Sequence, residues 1–212
     1  MDLNNIKRKK LEDELVKKLA HKISSKYKNF YTNRKPSSSS KCRNYLKIKL
    51  PHIPILQPEI DLILESHDGQ LYAAEVKLFK TEEVNFNLPF YLGLGQALAL
   101  HRYGFDKASL FHLFLGKNLP ARINIYGPEI WAFIRNDLCI PLDYSYIWVE
   151  EKEMEYDFHV MQYIGRQNGI KLLKIDDPNF NINFRYENPI KDQPTQKIMR
   201  ECLELWLKGK LK

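Results

Sequence analysis

Acidic residues flank one tight turn in this chain: Glu59-Ile60-Asp61 precedes, and Glu75-Val76-Lys77 follows, the tetrapeptide His67-Asp68-Gly69-Gln70. Both flanks are rich in apolar and β-branched residues, and Asp-Gly between two such runs is a strong hairpin signal. With His67, Asp68 and Gly69 as a three-residue loop and Gly69 in the left-handed conformation, Asp61 falls opposite Glu75, Leu62 opposite Ala74 and Ile60 opposite Val76. Side chains alternate along a strand, so Ile60, Leu62, Leu64, Tyr72, Ala74, Val76 and Leu78 then share one apolar face. The other face carries Glu59, Asp61, Glu75 and Lys77. A two-residue turn would shift the pairing by one and scatter both sets.

Like charges opposite each other across two strands are unfavourable unless something positive sits between them. A divalent cation and the Lys77 ammonium would both serve. An ordinary solvated face is the plainer reading of a Glu-x-Lys. Here, however, Leu71-Tyr72-Ala73-Ala74 and Leu78-Phe79 supply apolar residues to both faces of the second strand, as in a central strand covered on both sides. An acid placed there needs a partner.

Asp61 followed by the Glu75-Val76-Lys77 triplet resembles the PD-(D/E)XK nuclease superfamily. The resemblance implies an α/β fold with a restriction-endonuclease-like core, a mixed β-sheet flanked by helices. It also implies that Asp61 and Glu75 hold catalytic Mg²⁺ or Mn²⁺, with Lys77 beside them. Pro58 precedes Glu59 and does not directly precede Asp61, which leaves Glu59 as a second-choice ligand behind Asp61, favoured by register. The family commonly draws a further acid from its first helix, and Glu12 fits because it shares a helical stripe with Val16, Leu19 and Ile23. A first-turn acid interacting with the helix N-terminus is the alternative for Glu12.

A helix is expected from about Tyr91 to Tyr103, closed by Gly104 just past its end. It resembles the helix that follows the triplet in the resolvase-like and RecB-like branches of the superfamily, of the type carried by archaeal viruses and mobile elements. That likeness implies that Gln96 braces the site. Gly93 and Ala97 are spaced to let this helix approach the sheet closely. Lys107 to Leu115 reads as the next buried strand.

The chemistry implied is metal-dependent hydrolysis of a phosphodiester bond. The cation would activate a water and neutralise charge on the scissile phosphate, Lys77 would position or deprotonate that water, and Glu12 and Gln96 would orient waters or brace the ligands.

Charge distribution agrees with a nucleic-acid partner. The first 50 residues hold 15 Lys and Arg against 4 Asp and Glu, whereas the remaining 162 hold 18 against 22, within an overall +7. Lys7, Arg8, Lys9 and Lys10, then Arg34, Lys35, Lys41 and Arg43, are the candidate contacts to DNA, the expected partner, and RNA phosphates could use them too. The last four surround Pro36-Ser37-Ser38-Ser39-Ser40, which reads as a mobile basic loop near residues 33–43. Such a segment grips phosphates without reading sequence.

The length suits a single domain spanning 1–212, with a C-terminal extension from about residue 120. In that extension, helix is expected over Pro128 to Asn136 and Pro194 to Leu207, and strands over Tyr144 to Glu150, Glu155 to Ile164 and Gly169 to Ile175. Ile198, Cys202, Leu205 and Trp206 form an apolar stripe on the last helix, which either closes the core or mates with a second subunit. Resolvase-type relatives imply a homodimer. Cys42, Cys139 and Cys202 make neither a disulfide framework nor a zinc or iron-sulfur pattern. The charged N-terminus and the lack of a long apolar run point to an intracellular, cytoplasmic protein with no membrane partner. Two other function classes fit these features: a nucleic-acid-binding protein that keeps a nuclease fold with little turnover, and a basic protein-interaction module.

Overall fold

Residues 71 to 80 place apolar side chains on both faces, Leu71, Ala73 and Phe79 on one and Ala74, Val76 and Leu78 on the other, and that pattern places them at the centre of a sheet. In the computed structural model, strand β3 (Leu71–Lys80) lies between β2 (Ile60–Glu65), with which it pairs antiparallel, and β4 (Lys107–Gly116), with which it pairs parallel. The structure describes residues 3–52, 59–83, 91–119, 121, 123–153, 155–163, 170–177, 182 and 184–211. Pro58, Ile164 and Gly169, which entered the sequence reading, lie outside them.

Among the described residues the sheet has seven strands in chain order, with β1 (Asn29–Arg34) at one edge and β5 (Asp143–Glu151), β6 (Tyr156–Tyr163) and β7 (Ile170–Lys174) beyond β4. The β4–β5 pair is also parallel, and the other pairs are antiparallel. The sheet is therefore mixed, and helices flank it: this is the α/β class expected from the sequence. Parallel neighbours need crossover connections, and the β3–β4 and β4–β5 crossovers contain α3 (Leu94–Leu100) and α4 (Ile123–Ala132).

Each face of the sheet carries its own core. On one face, Leu15, Val16, Leu19, Ala20 and Ile23 of α1 (Leu3–Ile23) pack on Leu62, Leu64, Ala74, Val76 and Leu78. On the other, α2 (Ser40–Lys49), α3, α4 and α5 (Pro194–Leu207) bring Cys42, Leu46, Ala97, Leu100, Ile130, Met199, Cys202 and Leu203 onto Ile63, Ala73, Phe79, Leu110 and Phe114.

Three sequence expectations change here. The Ser-rich segment read as a loop is a 3₁₀ turn (Pro36–Ser38) leading into α2, whose first turn is capped by Ser39 Oγ accepting from the Cys42 amide. Serine fits because its hydroxyl satisfies an amide that has no intrahelical partner. The helix expected over Pro128 to Asn136 instead begins at Ile123, contains Pro128 and ends in a π-helical stretch (Phe133–Asp137). On α5 the buried stripe is Gln196, Met199, Cys202 and Leu203, while Ile198, Leu205 and Trp206 are only partly covered.

Candidate functional site

The hairpin register is the one deduced from alternation: Leu62 pairs with Ala74, Leu64 with Tyr72 and Glu65 with Leu71. The turn that sets it has Gly69 at φ +87°, a conformation that glycine adopts without steric cost. Leu62–Ala74 is the last pair of the β2–β3 ladder, although β3 continues to Lys80. Past that point β2 stays with β1, where Ile60 pairs with Arg34. This corrects two expectations: Asp61 is not paired opposite Glu75, because the ladder ends one residue earlier, and Ile60 changes faces. Ile60 does not lie opposite Val76 on the α1 face but packs in the core of the opposite face, because β2 leaves β3 before reaching it.

The parting strands expose amides of β3, and two acids take them. Asp61 Oδ2 accepts from the Val76 amide at 2.8 Å, and Glu12 Oε2, from α1, accepts from the Leu78 amide at 3.0 Å. Buried amides are costly without a partner, so the local chemistry selects carboxylates at both positions. Arg8 Nη2 donates to the Leu78 carbonyl at 2.5 Å, tying the start of α1 to the same segment. The α1 stripe of Glu12, Val16, Leu19 and Ile23 thus faces the sheet as its periodicity implied.

Glu75 and Lys77 share the face of β3 that carries Ala73 and Phe79, opposite α1. Lys77 Nζ donates to Glu75 Oε1 at 2.5 Å. Glu75 Oε2 is buried and accepts no hydrogen bond among the described residues. Asp61, Glu75 and Glu12 retain 2 %, 1 % and 7 % of their exposure. Burial, together with the neighbouring Asp61 charge, pushes the Glu75 carboxyl up to about 7. Burial also raises Asp61 above the ordinary carboxylate range, and it outweighs the opposing pull of Lys9, the Val76 amide and Lys77.

Beside this group lies Lys9, whose ammonium is 3.1 Å from Glu12 Oε1 and 3.4 Å from Asp61 Oδ1. On the far side, Lys77 pairs in register with His112 of β4. The His112 ring Nε2 lies 3.1 Å from the Leu92 carbonyl, which can only accept. Nε2 therefore carries the proton, and Nδ1 accepts from the Tyr144 hydroxyl at 3.1 Å. Burial drives the His112 pKa down to about 4, so the ring is neutral behind the lysine. Gly93, at φ +85° before α3, is where the Lys77 stem packs: a Cβ there would meet Lys77 Cγ and Leu110 Cδ1, each at 2.9 Å. The close approach expected of Gly93 and Ala97 is present, with Ala97 fully buried.

Asp61 and Glu12 thus bond β3 where β2 and β3 separate, and Glu75 and Lys77 pair on the face of β3 away from α1, close enough for Asp61 to feel Lys77 and for Glu75 to feel Asp61. Gln96 is not gathered with them. It lies on the exposed side of α3, because Ala97 and Leu100 take the stripe that faces the core. Among the described residues no hydrogen bond joins it to Glu75 or Lys77. Glu59 is 3.2 Å from Lys35 and 4.0 Å from Lys9, at the margin of the group. Of the candidate nucleic-acid contacts, Lys7, Lys10, Lys41 and Arg43 are exposed, and Arg34 lies over the Tyr31 ring. Lys9, Lys35 and Arg8 have protein partners. Lys9, expected as a DNA contact, stands instead among the acids, and its i,i+3 and i,i+4 spacing to Glu12 and Asp13 is the sequence signal for that place.

A buried carboxylate oxygen with no partner, beside a second buried carboxylate, is an all-oxygen arrangement suited to a hard cation. In donor type the residues fit such an ion. Glu12, Asp61 and Glu75 do not, however, bring one oxygen each within 4.8 Å of the others. Among the described residues the set that does is Glu150, Asp157 and His159 on the β5–β6 hairpin, where Lys152 already pairs with both acids.

No protein-family model matches this chain, and no curated protein does. Among solved structures, the chain is similar to the SfsA protein of Pyrococcus furiosus, solved in complex with Ca²⁺, at 12 % identity and a TM-score of 0.27. The match covers 59 % of this chain and 58 % of that one, less than two thirds of either. Among the described residues no helix is long and apolar enough to cross a membrane.

Proposed function

We propose that this protein is a metal-dependent nuclease that hydrolyses phosphodiester bonds in DNA. The observation that carries the reading is Glu75: a buried carboxylate with one oxygen on Lys77 and the other without a partner, next to buried Asp61. Asp61 and Glu75 would hold Mg²⁺ or Mn²⁺, which when bound supplies Lewis-acid activation of a water and of the phosphate. Lys77 stands where an ammonium can orient the attacking water and offset charge developing on phosphorus. Glu12 holds the β3 backbone in place through the Leu78 amide. Neutral His112 and the Gly93 backbone close the side away from α1 and fix the lysine stem. The exposed Lys7, Lys10, Lys41 and Arg43 would bind the phosphate backbone.

Specificity for branched DNA and a homodimeric state extend the same reading, and both are supported by the family resemblance. The test is incubation with Mg²⁺ or Mn²⁺ and linear, flapped, single-stranded and four-way-junction DNA, beside Glu75→Gln and Lys77→Met. Each substitution should lower cleavage at least about 100-fold, the scale on which an electrostatic catalytic group acts. Equal cleavage by wild type and both variants would remove the site assignment.

A second reading, nucleic-acid binding with little turnover, is favoured by one feature: Lys9 and Lys77 already neutralise much of the acid group. Salt-dependent DNA binding without cleavage under every metal tried would select it.

A further inference from the structure

Lys9 stands among more acids than a surface lysine needs. Its Nζ lies 3.1 Å from Glu12 Oε1, 3.3 Å from Asp13 Oδ1, 3.4 Å from Asp61 Oδ1 and 4.0 Å from Glu59 Oε2. Glu12 and Asp13 are helical neighbours, and such pairs are ordinary. Asp61 and Glu59 arrive from 50 or more residues away, and Asp61 is buried to 2 %. Burial opposes the Lys9 charge, but Asp61 and Glu12 outweigh it and hold the ammonium firmly protonated.

A second observation points to the same place. Glu75 Oε2 is buried without a partner, and its carboxyl feels the charges of both Asp61 and Lys9. Lys77 serves the other Glu75 oxygen, and Arg8 serves the Leu78 carbonyl. An ammonium keeps its carboxylate oxygens about 3 Å away, whereas Mg²⁺ or Mn²⁺ draws its oxygen ligands to about 2.1 Å. The 3.1 and 3.4 Å contacts of Lys9 to Glu12 and Asp61 are those of an ammonium. A lysine 41 % exposed at its side chain, on a flexible four-carbon stem, can swing into solvent without disturbing α1.

We propose that Lys9 is a tethered counter-cation of this site: it occupies the carboxylate cluster in the metal-free protein, must leave for a divalent cation to enter, and so sets the cation affinity. The inference rests on the reading of Asp61 and Glu75 as the cation site. Removing the Lys9 charge should therefore tighten metal binding, the reverse of what loss of a ligand does.

The experiment is titration of the full-length protein with Mn²⁺ alone, free ion being followed by electron paramagnetic resonance, for wild type, Lys9→Met, Lys9→Gln, Lys9→Arg and Glu75→Gln. Lys9→Met and Lys9→Gln should bind Mn²⁺ about tenfold more tightly, and Lys9→Arg within about twofold of wild type. Metal-free Lys9→Met should melt below wild type, with the gap closing at saturating Mn²⁺; Lys9→Gln gives the same readout if the methionine variant does not fold. Unchanged or weaker binding in the neutral Lys9 variants, with Glu75→Gln weakened, would overturn the role of Lys9 and leave the cation site standing. Binding indifferent to Glu75→Gln would overturn the cation site itself.

Discussion

The Asp61 carboxylate accepts a 2.8 Å hydrogen bond from the Val76 amide at the point where β2 and β3 part. One side chain thereby does what the next rung of the ladder would have done, and it does so with a charge that burial opposes. Asp61→Asn retains an acceptor and drops the charge, whereas Asp61→Ala leaves the amide bare. Urea unfolding at pH 8 should find the alanine variant about 1 to 3 kcal/mol less stable than the asparagine variant, the cost of an unsatisfied buried donor. Equal stability would mean that the Val76 amide finds another partner.

Glu75 makes the metal-free protein sensitive to pH. Its folded pKa, about 7, lies above the ordinary 4.5, so the folded state binds this proton more tightly than the unfolded state does. The stabilisation is complete below about pH 4.5 and is lost as pH rises through 7. Melting temperatures of wild type and Glu75→Gln, compared without metal at pH 5, 6, 7 and 8, should diverge steadily, with wild type falling relative to the variant. A constant difference would show that Glu75 titrates normally.

Gly93 carries two constraints at once, a positive φ and no room for a Cβ. Gly93→Ala should cost about 1 to 3 kcal/mol in denaturant unfolding, from backbone strain together with overpacking against Lys77 and Leu110. Gly95, where an added Cβ would meet nothing within 4 Å, is the control, and Gly95→Ala should be neutral or slightly stabilising.

Binding to DNA should fall steeply with salt, by a slope of about −0.9 in log affinity against log salt for each phosphate contacted. Replacing Lys7, Lys10, Lys41 and Arg43 together by Gln should lower that slope by about 2 to 4. Replacing Lys35, which is engaged by Glu59, should change it little. Fluorescence anisotropy from 50 to 300 mM KCl measures both, and an unchanged slope in the fourfold variant would place the interface elsewhere.

Much of the frame was legible because its signals are local. Asp68-Gly69 and strict alternation set the β2–β3 register, and the boundaries of α5 fall at Pro194 and Leu207 as periodicity placed them. β1 and α2 were not legible. Asn29–Arg34 is a half-covered edge strand without clean alternation, and the serines before α2 resemble a linker until one of them is seen to cap a helix. Gln96 was carried over by likeness to a family helix, but the face of α3 that touches the sheet is chosen by Ala97 and Leu100.

The sequence by itself determined that Leu62, Leu64, Tyr72, Ala74 and Val76 share one face, since a period of two holds along a continuous ladder; Ile60, beyond the end of that ladder, does not follow it. It also determined that α1 would turn Glu12 with Val16, Leu19 and Ile23. Only the tertiary structure decided that β2 pairs with β3 no earlier than Leu62, freeing the Val76 and Leu78 amides for Asp61 and Glu12. It also decided that Lys9, read along the chain as one of four basic residues in a row, faces Glu59 and Asp61 as well as the acids of its own helix. Those outcomes depend on how a helix seats against a sheet about 50 residues further along the chain, a distance over which no local pattern carries information.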